Sequence, residues 1–358
     1  MSNTIQPDLP ATMYALQAHE FGPPSTSFQY LEIMVPEISR PTQVLVQVYA
    51  AGINPAEAKV RSGNISRFFK MPTILGADFS GVIVGKGSKV SSFEIGDKVF
   101  GKLRFPLGPQ GTYAEYTVVD VEKDAISKKP NNLPFIEAGA VGIAALTAYE
   151  AIINKGRLSQ LPKDVTPNIV VIGASGGVGT YAVQIAKACG ANVIGVCSKN
   201  NTSLVKSLGA DETVDYTSDE EFNALLSRKD TFDLVVDCVG GDDYYNQFIT
   251  TIKNSGVYIS TVGPIQHAGS VGLGIQDIFA FGSAFLFRSM FSSRKYLMVA
   301  TLPVKDFSEG LLPLFESESI KSVVLPENVY ELKDGIKAHE AIESHRTVGK
   351  IVLKMNTW

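Results

Sequence analysis

The first 130 or so positions run as short apolar stretches separated by Gly, Pro and polar residues. Val44–Val48, Ser80–Val84, Lys98–Phe100 and Tyr113–Val119 are of strand length and rich in β-branched residues, so they predict a mainly β region. From Leu133 the texture changes to a long Ala-rich segment, EAGAVGIAALTAYEAI, and then to apolar strands alternating with helical patterns from Asn168 to Thr301. There Ile169–Ile172 predicts a buried strand, Gly177–Cys189 a helix with Val178, Ala182, Ile185 and Cys189 on one face, and Asn192–Cys197 the next strand. Leu234–Val239 and Val257–Val262 add two more. Such alternation predicts βαβ units and a doubly wound parallel sheet. After Thr301 come a helix, an extended segment around Ser322–Val329, a helix near Lys333–Ser344 and a last strand, Lys350–Lys354.

Composition narrows this picture. A chain of 358 residues exceeds what one core usually serves, so two domains with a cleft between them are expected. Hydrophobic residues at 45% and charged residues at 19% place it among folded proteins. With 32 basic and 36 acidic residues, a formal charge of −4 and no long run of either sign, nucleic acid is not an expected partner. Cys189, Cys197 and Cys238 have no CxxC spacing and fall in segments read as interior, so they are expected to be buried small hydrophobes in a reducing compartment. The N-terminal segment has neither a signal-peptide nor a transit-peptide pattern, which makes the cytoplasm the expected location. No integral membrane span is expected: the nearest candidate, Ile275–Phe291, is broken by Asp277 and Arg288.

The sharpest chemical signal is IVVIGASGGVGTYAVQIAKACG, where Gly173, Gly176 and Gly179 recur every third residue between an apolar strand and an amphipathic helix. A dinucleotide pyrophosphate has to approach the backbone closely at a helix N-terminus, and a Cβ at these positions obstructs that approach or the helix packing. About twenty residues on, where an NAD site places an acid on the ribose 2′-hydroxyl, the second strand ends in Cys197-Ser198-Lys199. A carboxylate repels a 2′-phosphate, whereas the Ser198 hydroxyl and the Lys199 ammonium can donate to it. NADPH is therefore the expected cofactor; a solvated loop lysine is the plain alternative for Lys199.

The sequence resembles the quinone oxidoreductase branch of the medium-chain dehydrogenase/reductase superfamily, and within it the reticulon-4-interacting-protein and chloroplast-envelope quinone oxidoreductase-like group. The resemblance covers nearly the whole chain and is carried by GINPAEAKVRSG at 52–63, ILGADFSGVIVGKGSKVSSFEIGDKVFG at 74–101, GTYAEY at 111–116, GIAALTAYEAI at 142–152, GASGGVG at 173–179, DLVVDCVGG at 233–241 and GKIVLKM at 349–355. It implies an α/β fold: a GroES-like β domain of residues 1–136 and 302–358, with a Rossmann domain of residues 137–301 inserted into it.

The family's zinc branch has a Cys in the motif matching Asn54-Pro55, a His-Glu pair after the glycine matching Gly76, and a four-cysteine lobe further on. This chain has Asn54-Pro55, Ala77-Asp78 and no cysteine before Cys189. Its four histidines, His19, His267, His339 and His345, are scattered without ligand spacing, so no metal site is expected. By the same resemblance Asn54 lies near the nicotinamide. Lys59 stands where some relatives have Tyr and some enone reductases a Lys, either as a cleft residue donating to a substrate carbonyl or as a helix-surface lysine. Glu57 replaces the more usual Asp. The implied cofactor contacts are Ser175, Gly177 and Val178 in the glycine turn, Thr147, Tyr216, Val239, Gly240 and Lys350. The aromatic segment Ile275–Phe291 reads as core, as the lining of an apolar pocket or as an interface.

The expected activity is hydride transfer from NADPH, without zinc, to a quinone or an α,β-unsaturated carbonyl, by a monomer or homodimer acting on a small molecule. Two alternatives stand beside it: a trans-acting enoyl reductase of a polyketide pathway, and a non-catalytic NADPH-binding scaffold.

Overall fold

The computed structural model describes residues 4–5, 8–63, 70–104, 110–158, 164–262, 282–288, 290, 292, 294–299 and 305–355. Nine strands come first: β1 (Thr4–Ile5), β2 (Thr12–Ala18), β3 (Phe28–Met34), β4 (Gln43–Ile53), β5 (Thr73–Ile74), β6 (Asp78–Lys86), β7 (Lys98–Lys102), β8 (Tyr116–Asp120) and β9 (Ala125–Lys128). Six follow between helices: β10 (Asn168–Ile172), β11 (Asn192–Cys197), β12 (Glu212–Asp215), β13 (Phe232–Asp237), β14 (Ile252–Ser260) and β15 (Lys295–Met298). The last two are β16 (Val329–Glu331) and β17 (Ile351–Lys354).

One sheet takes strands from both ends of the chain, in the order β16-β17-β4-β6-β7-β9, with β8 also paired to β4 and β1 to β6. It is antiparallel apart from β16–β17, and β17 lies along the end of β4 with Ile351 opposite Ile53. β2, β3 and β5 form a small antiparallel sheet beside it. The third sheet is parallel throughout, in the order β12-β11-β10-β13-β14-β15, and is built from one continuous stretch of chain. The fold is therefore α/β, a GroES-like β architecture joined to a Rossmann sheet. Ile169, Val170, Val171 and Ile172 of β10 are wholly buried, as the run without polar interruption requires of a strand covered on both faces.

The two architectures share apolar contacts. Phe100 of β7 packs on Phe307 at 4.9 Å and on Phe315 at 6.3 Å, in the same cluster as Val141, Tyr181 and Leu234.

Some expectations change in detail. The glycine-turn helix ends at Ala188, so Cys189 stands at its C-cap and is exposed rather than packed. Only Cys197 is buried; Cys238 is half-buried. The stretch from Ser322 is extended for only part of its length, because Pro326, which has no N–H for a ladder, opens a 3₁₀ turn before β16. Of Ile275–Phe291, positions 282–288 and 290 are described, as is the helix formed by 282–288. Phe285, Leu286, Phe287 and Met290 are exposed there, which removes the core reading for these side chains. The remainder of that segment, like His267, lies outside the described residues. Among the described residues no helix is long and apolar enough to cross a membrane.

Candidate active site

The parallel sheet reverses its strand order between β10 and β13, and a crevice opens where the carboxyl ends of two such strands diverge. Gly173 leaves β10 on one side of it and Cys238-Val239 leave β13 on the other. Both line a cleft of about 880 Å³ whose opposite wall is Ile53–Pro55, Ala58 and Lys59.

The turn after β10 shows which glycines the protein itself needs. A Cβ on Gly179 would stand 2.1 Å from Gly173 O, so that position must be bare for the helix to reach the turn. Gly173 has φ of 74°, and a Cβ there would meet Val239 Cγ2 at 2.9 Å. Gly176 differs. Its nearest neighbour would be Gly173 O at 3.4 Å, an ordinary contact, so the bare backbone at that point leaves room for a group approaching from the cleft. The helix that starts at Gly177 runs for 12 residues and no side chain caps it, so its leading N–H groups are available to an external anion. Ser175, Gly176, Gly177, Val178 and Gly179 all line the cleft.

Beyond β11, Asn201 Nδ2 donates to Ser175 Oγ at 3.1 Å and to Ser198 Oγ at 3.2 Å. With their oxygens accepting, both hydroxyls keep their hydrogens for another acceptor. Ser198, Asn200, Asn201 and the exposed Tyr216 line the cleft, but Lys199 does not. Lys199 sits beside Asp215, whose carboxylate accepts from Thr217 N, Thr217 Oγ1 and Lys199 N. Those bonds, Thr217's foremost and the Lys199 charge last, hold Asp215 below the usual carboxylate range. The loop singled out from the sequence thus reaches the cleft through Ser198 and not Lys199, together with Asn200 and Asn201, which carry no motif of their own and were not named from the sequence.

Val239 lines the cleft, whereas the Gly240 N–H turns back to Asp237 Oδ1 at 2.8 Å, beside Val239 N at 2.9 Å. Tyr258 OH donates to the other oxygen of this buried carboxylate at 2.8 Å. Asp237 therefore shapes the turn that delivers Val239. Burial, and next Asp237, push the neighbouring Cys238 thiol up to about 12. Thr147 is also turned away: Thr147 Oγ1 donates to Ile143 O of its own helix at 2.7 Å, and Ala144 represents that helix at the cleft.

On the opposite wall Asn54 caps the helix Pro55–Arg61, with proline at its first position. Glu57 reaches back from the third helical position to Asn54 N at 2.7 Å, the reciprocal half of a capping box. Lys59, one turn on, lines the cleft half-buried, and its ammonium has no hydrogen-bond or ion-pair partner among the described residues. Burial lowers its pKa from the usual lysine value. The Lys350 ammonium does not face the glycine turn; it is buried against Asn54 Oδ1 at 2.5 Å, Ile53 O at 3.0 Å and Asp78 Oδ2 at 3.3 Å. Only its methylenes lie near Gly177.

The strand entry before β17 is stitched to the glycine turn, Gly349 N donating to Ser175 O at 2.8 Å. This brings Ile342–Thr347 to the cleft, including the exposed Arg346, which sequence reasoning also missed. Glu343 of this stretch pairs with the buried Arg61 guanidinium, which ties the rim to the end of the Pro55–Arg61 helix. Among the described residues no three of His, Cys, Asp and Glu stand together as a metal site. His339 is buried between the rings of Phe28, at 4.7 Å, and Tyr113, at 5.6 Å.

Comparison with known proteins agrees with this architecture. A family model described as alcohol dehydrogenase GroES-like domain matches residues 40–131, and one described as zinc-binding dehydrogenase matches residues 208–353. The mitochondrial NAD(P)H oxidoreductase RTN4IP1 of Danio rerio is 38% identical over 222 residues, covering 58% of this chain and 56% of that protein, so the match spans little more than half of its length. The 2-methylene-furan-3-one reductase of Solanum lycopersicum is 31% identical over 352 residues, covering 96% of this chain and 80% of that protein. The solved quinone oxidoreductase from Coxiella burnetii superposes with a TM-score of 0.77 at 29% identity, covering 96% of this chain and 99% of that one. Similarity over nearly the whole chain, together with the two sheets and the cleft at their junction, shows that the chain belongs to the quinone oxidoreductase branch of the medium-chain dehydrogenase/reductase superfamily.

Proposed function

We propose that this chain is an NADPH-dependent, zinc-independent oxidoreductase that reduces a quinone or an α,β-unsaturated carbonyl. The observation that carries the reading is one cleft with an uncapped helix end behind bare glycines on one wall and, on the other, a half-buried ammonium with no partner among the described residues. The first suits a pyrophosphate and the second an oxygen that gains negative charge. The names of the similar proteins, an NAD(P)H oxidoreductase, a furanone reductase and a quinone oxidoreductase, agree with that pairing.

In this proposal Gly176–Val178 hold the pyrophosphate, the Ser175 and Ser198 hydroxyls, oriented by Asn201, donate to the 2′-phosphate, and Val239 bears on the nicotinamide side. Bound NADPH supplies the hydride. Lys59 donates a hydrogen bond to the substrate carbonyl oxygen, which stabilises the charge that develops there as the β carbon is reduced, and a proton from water completes the α carbon. The Lys350 ammonium occupies the space among Asn54, Ile53 and Asp78, the segments where the zinc branch places ligands, which supports the zinc-independent reading. The free cysteines support a reducing compartment, proposed as the cytoplasm and checked by locating a tagged copy.

The test is NADPH oxidation against a panel of quinones, enones and carrier-bound enoyl thioesters, before and after exhaustive chelation. Turnover of quinones or enones unchanged by chelator is the expected result. NADPH binding with no turnover of any acceptor would make the chain a scaffold, and thioester-only activity would make it an enoyl reductase.

A further inference from the structure

The chemistry around Asn54 has a direction. Lys350 is a donor only, and its ammonium is spent on Asn54 Oδ1, Ile53 O and Asp78 Oδ2. On the other side of the amide, Asn54 Nδ2 donates to Asp78 Oδ2 at 3.1 Å and to Glu57 Oε1 at 3.2 Å. An amide flip would set Nδ2 against the ammonium and Oδ1 against two carboxyl groups, so a single orientation satisfies the whole set. All of these groups are buried: Asn54 is 3% exposed, Lys350 4%, and Glu57 and Asp78 not at all. The cost of an unmatched donor or acceptor is therefore not relieved by water.

Asp78 is held just as firmly. Its Oδ1 accepts from Ile143 N at 2.7 Å, and a Cβ on Gly142 would stand 2.2 Å from that oxygen, so the chain is bare where the carboxylate passes. The remaining ionisable groups near Glu57 are Lys102 on β7 and Tyr113 before β8; both are buried, and Lys102 also faces Asp78 and Asp124.

Both amide hydrogens of Asn54 are thus consumed, and what remains among the described residues is accepting capacity on Oδ1. We propose that Lys350, Glu57 and Asp78 are positioning residues that hold Asn54 with only an acceptor left for the cleft, so that Asn54 binds a hydroxyl or carboxamide N–H of the cofactor and never the substrate carbonyl. The reactive oxygen of a quinone or enone is itself an acceptor and gains nothing from Asn54. Lys59 is then left to meet it. This rests on the proposed NADPH site and goes beyond it by dividing the two cleft residues between cofactor and substrate.

The test is NADPH affinity measured by fluorescence titration at pH 9, where the Glu57 carboxyl, raised by burial and Asp78 to about 8, is mostly ionised. Asn54→Ala should weaken NADPH about tenfold, the loss of one hydrogen bond, and leave KM for an enone unchanged. Glu57→Gln keeps the shape but puts an N–H where an acceptor is needed. It should weaken NADPH by a similar factor and add nothing when combined with Asn54→Ala. Glu57→Asp keeps the acceptors and should bind NADPH within about threefold of wild type. A raised enone KM with unchanged NADPH affinity in Asn54→Ala would overturn the assignment, even if the Glu57 variants fail to fold. Equal affinities for Glu57→Gln and wild type would overturn the positioning role. If the wild-type protein does not bind NADPH at all, it is the underlying functional reading that fails.

Discussion

Lys59 and Lys199 show how little a residue type says before its neighbours are known. Both were candidates from position; the structure leaves Lys59 unpartnered among the described residues in the cleft wall and puts Lys199 beside Asp215. Lys59→Ala should lower kcat/KM for enones by about a hundredfold, the usual consequence of removing one positioned donor to a developing oxyanion, with NADPH affinity near wild type. Steady-state kinetics with a parallel NADPH titration check this, and a wild-type rate would make Lys59 a surface residue. In the proposed NADPH site, discrimination against NADH would fall to the Ser175 and Ser198 hydroxyls, which accept from Asn201 and so keep their hydrogens, since both residues line the cleft and Lys199 does not. NADPH should bind at least about tenfold more tightly than NADH. Ser198→Asp should reverse that preference by placing a carboxylate where a 2′-phosphate would lie. Equal affinities of the wild type for the two cofactors would refute it, whatever the variant does.

At the scale of elements, the strand–turn–helix unit from β10 to Ala188 separates the glycines its packing requires from the one proposed to serve a ligand. Gly179→Ala forces a Cβ to within 2.1 Å of Gly173 O and should destabilise the fold by roughly 1–3 kcal/mol, the ordinary cost of overpacking. Gly176→Ala meets nothing closer than 3.4 Å and should unfold like wild type while binding NADPH poorly. Denaturant unfolding and cofactor titration of the two variants distinguish these outcomes. A large loss of stability in Gly176→Ala would mean that its bareness serves packing and not a ligand.

For the whole molecule, two buried groups set opposite pH limbs. Burial, and next Asp78, push the Glu57 carboxyl from 4.5 up to about 8, so folding retains a proton that the unfolded chain releases. Its stabilising contribution is complete below 4.5 and is lost as pH rises toward about 8. Burial, and next Arg61, push His339 from 6.5 down to about 3, so its contribution is complete above 6.5 and is lost as pH falls toward about 3. Each limb has a slope of up to about 1.4 kcal/mol per pH unit. Between 4.5 and 6.5 the two slopes cancel and stability should be level. His339→Phe should flatten the acid limb and Glu57→Gln the alkaline one. Unfolding free energies across pH 4–9 test this, and unchanged limbs in both variants would show that other groups control them.

The sequence by itself determined what is local. The runs of β-branched residues fixed strands such as Asn192–Cys197, buried on both faces from Val193 onward, and the glycine spacing after Ile172 marked the turn because Gly173 and Gly179 have no room for a Cβ. The absence of an acid after β11 was legible in the same way, within one loop. What lies between distant segments was decided by tertiary structure. Asn54, Asp78 and Lys350 are up to 296 positions apart and become one hydrogen-bonded group only because β17 pairs with β4. Arg346 reaches the cleft only because Gly349 is stitched to Ser175. Thr147 and Gly240 had the right type and position, yet each spends its hydrogen on a nearby acceptor, Ile143 O and Asp237 respectively. Propensity and spacing act over a few residues, whereas the partner that claims a donor is chosen by packing, and a polar side chain's role follows from what is left over once that partner is served.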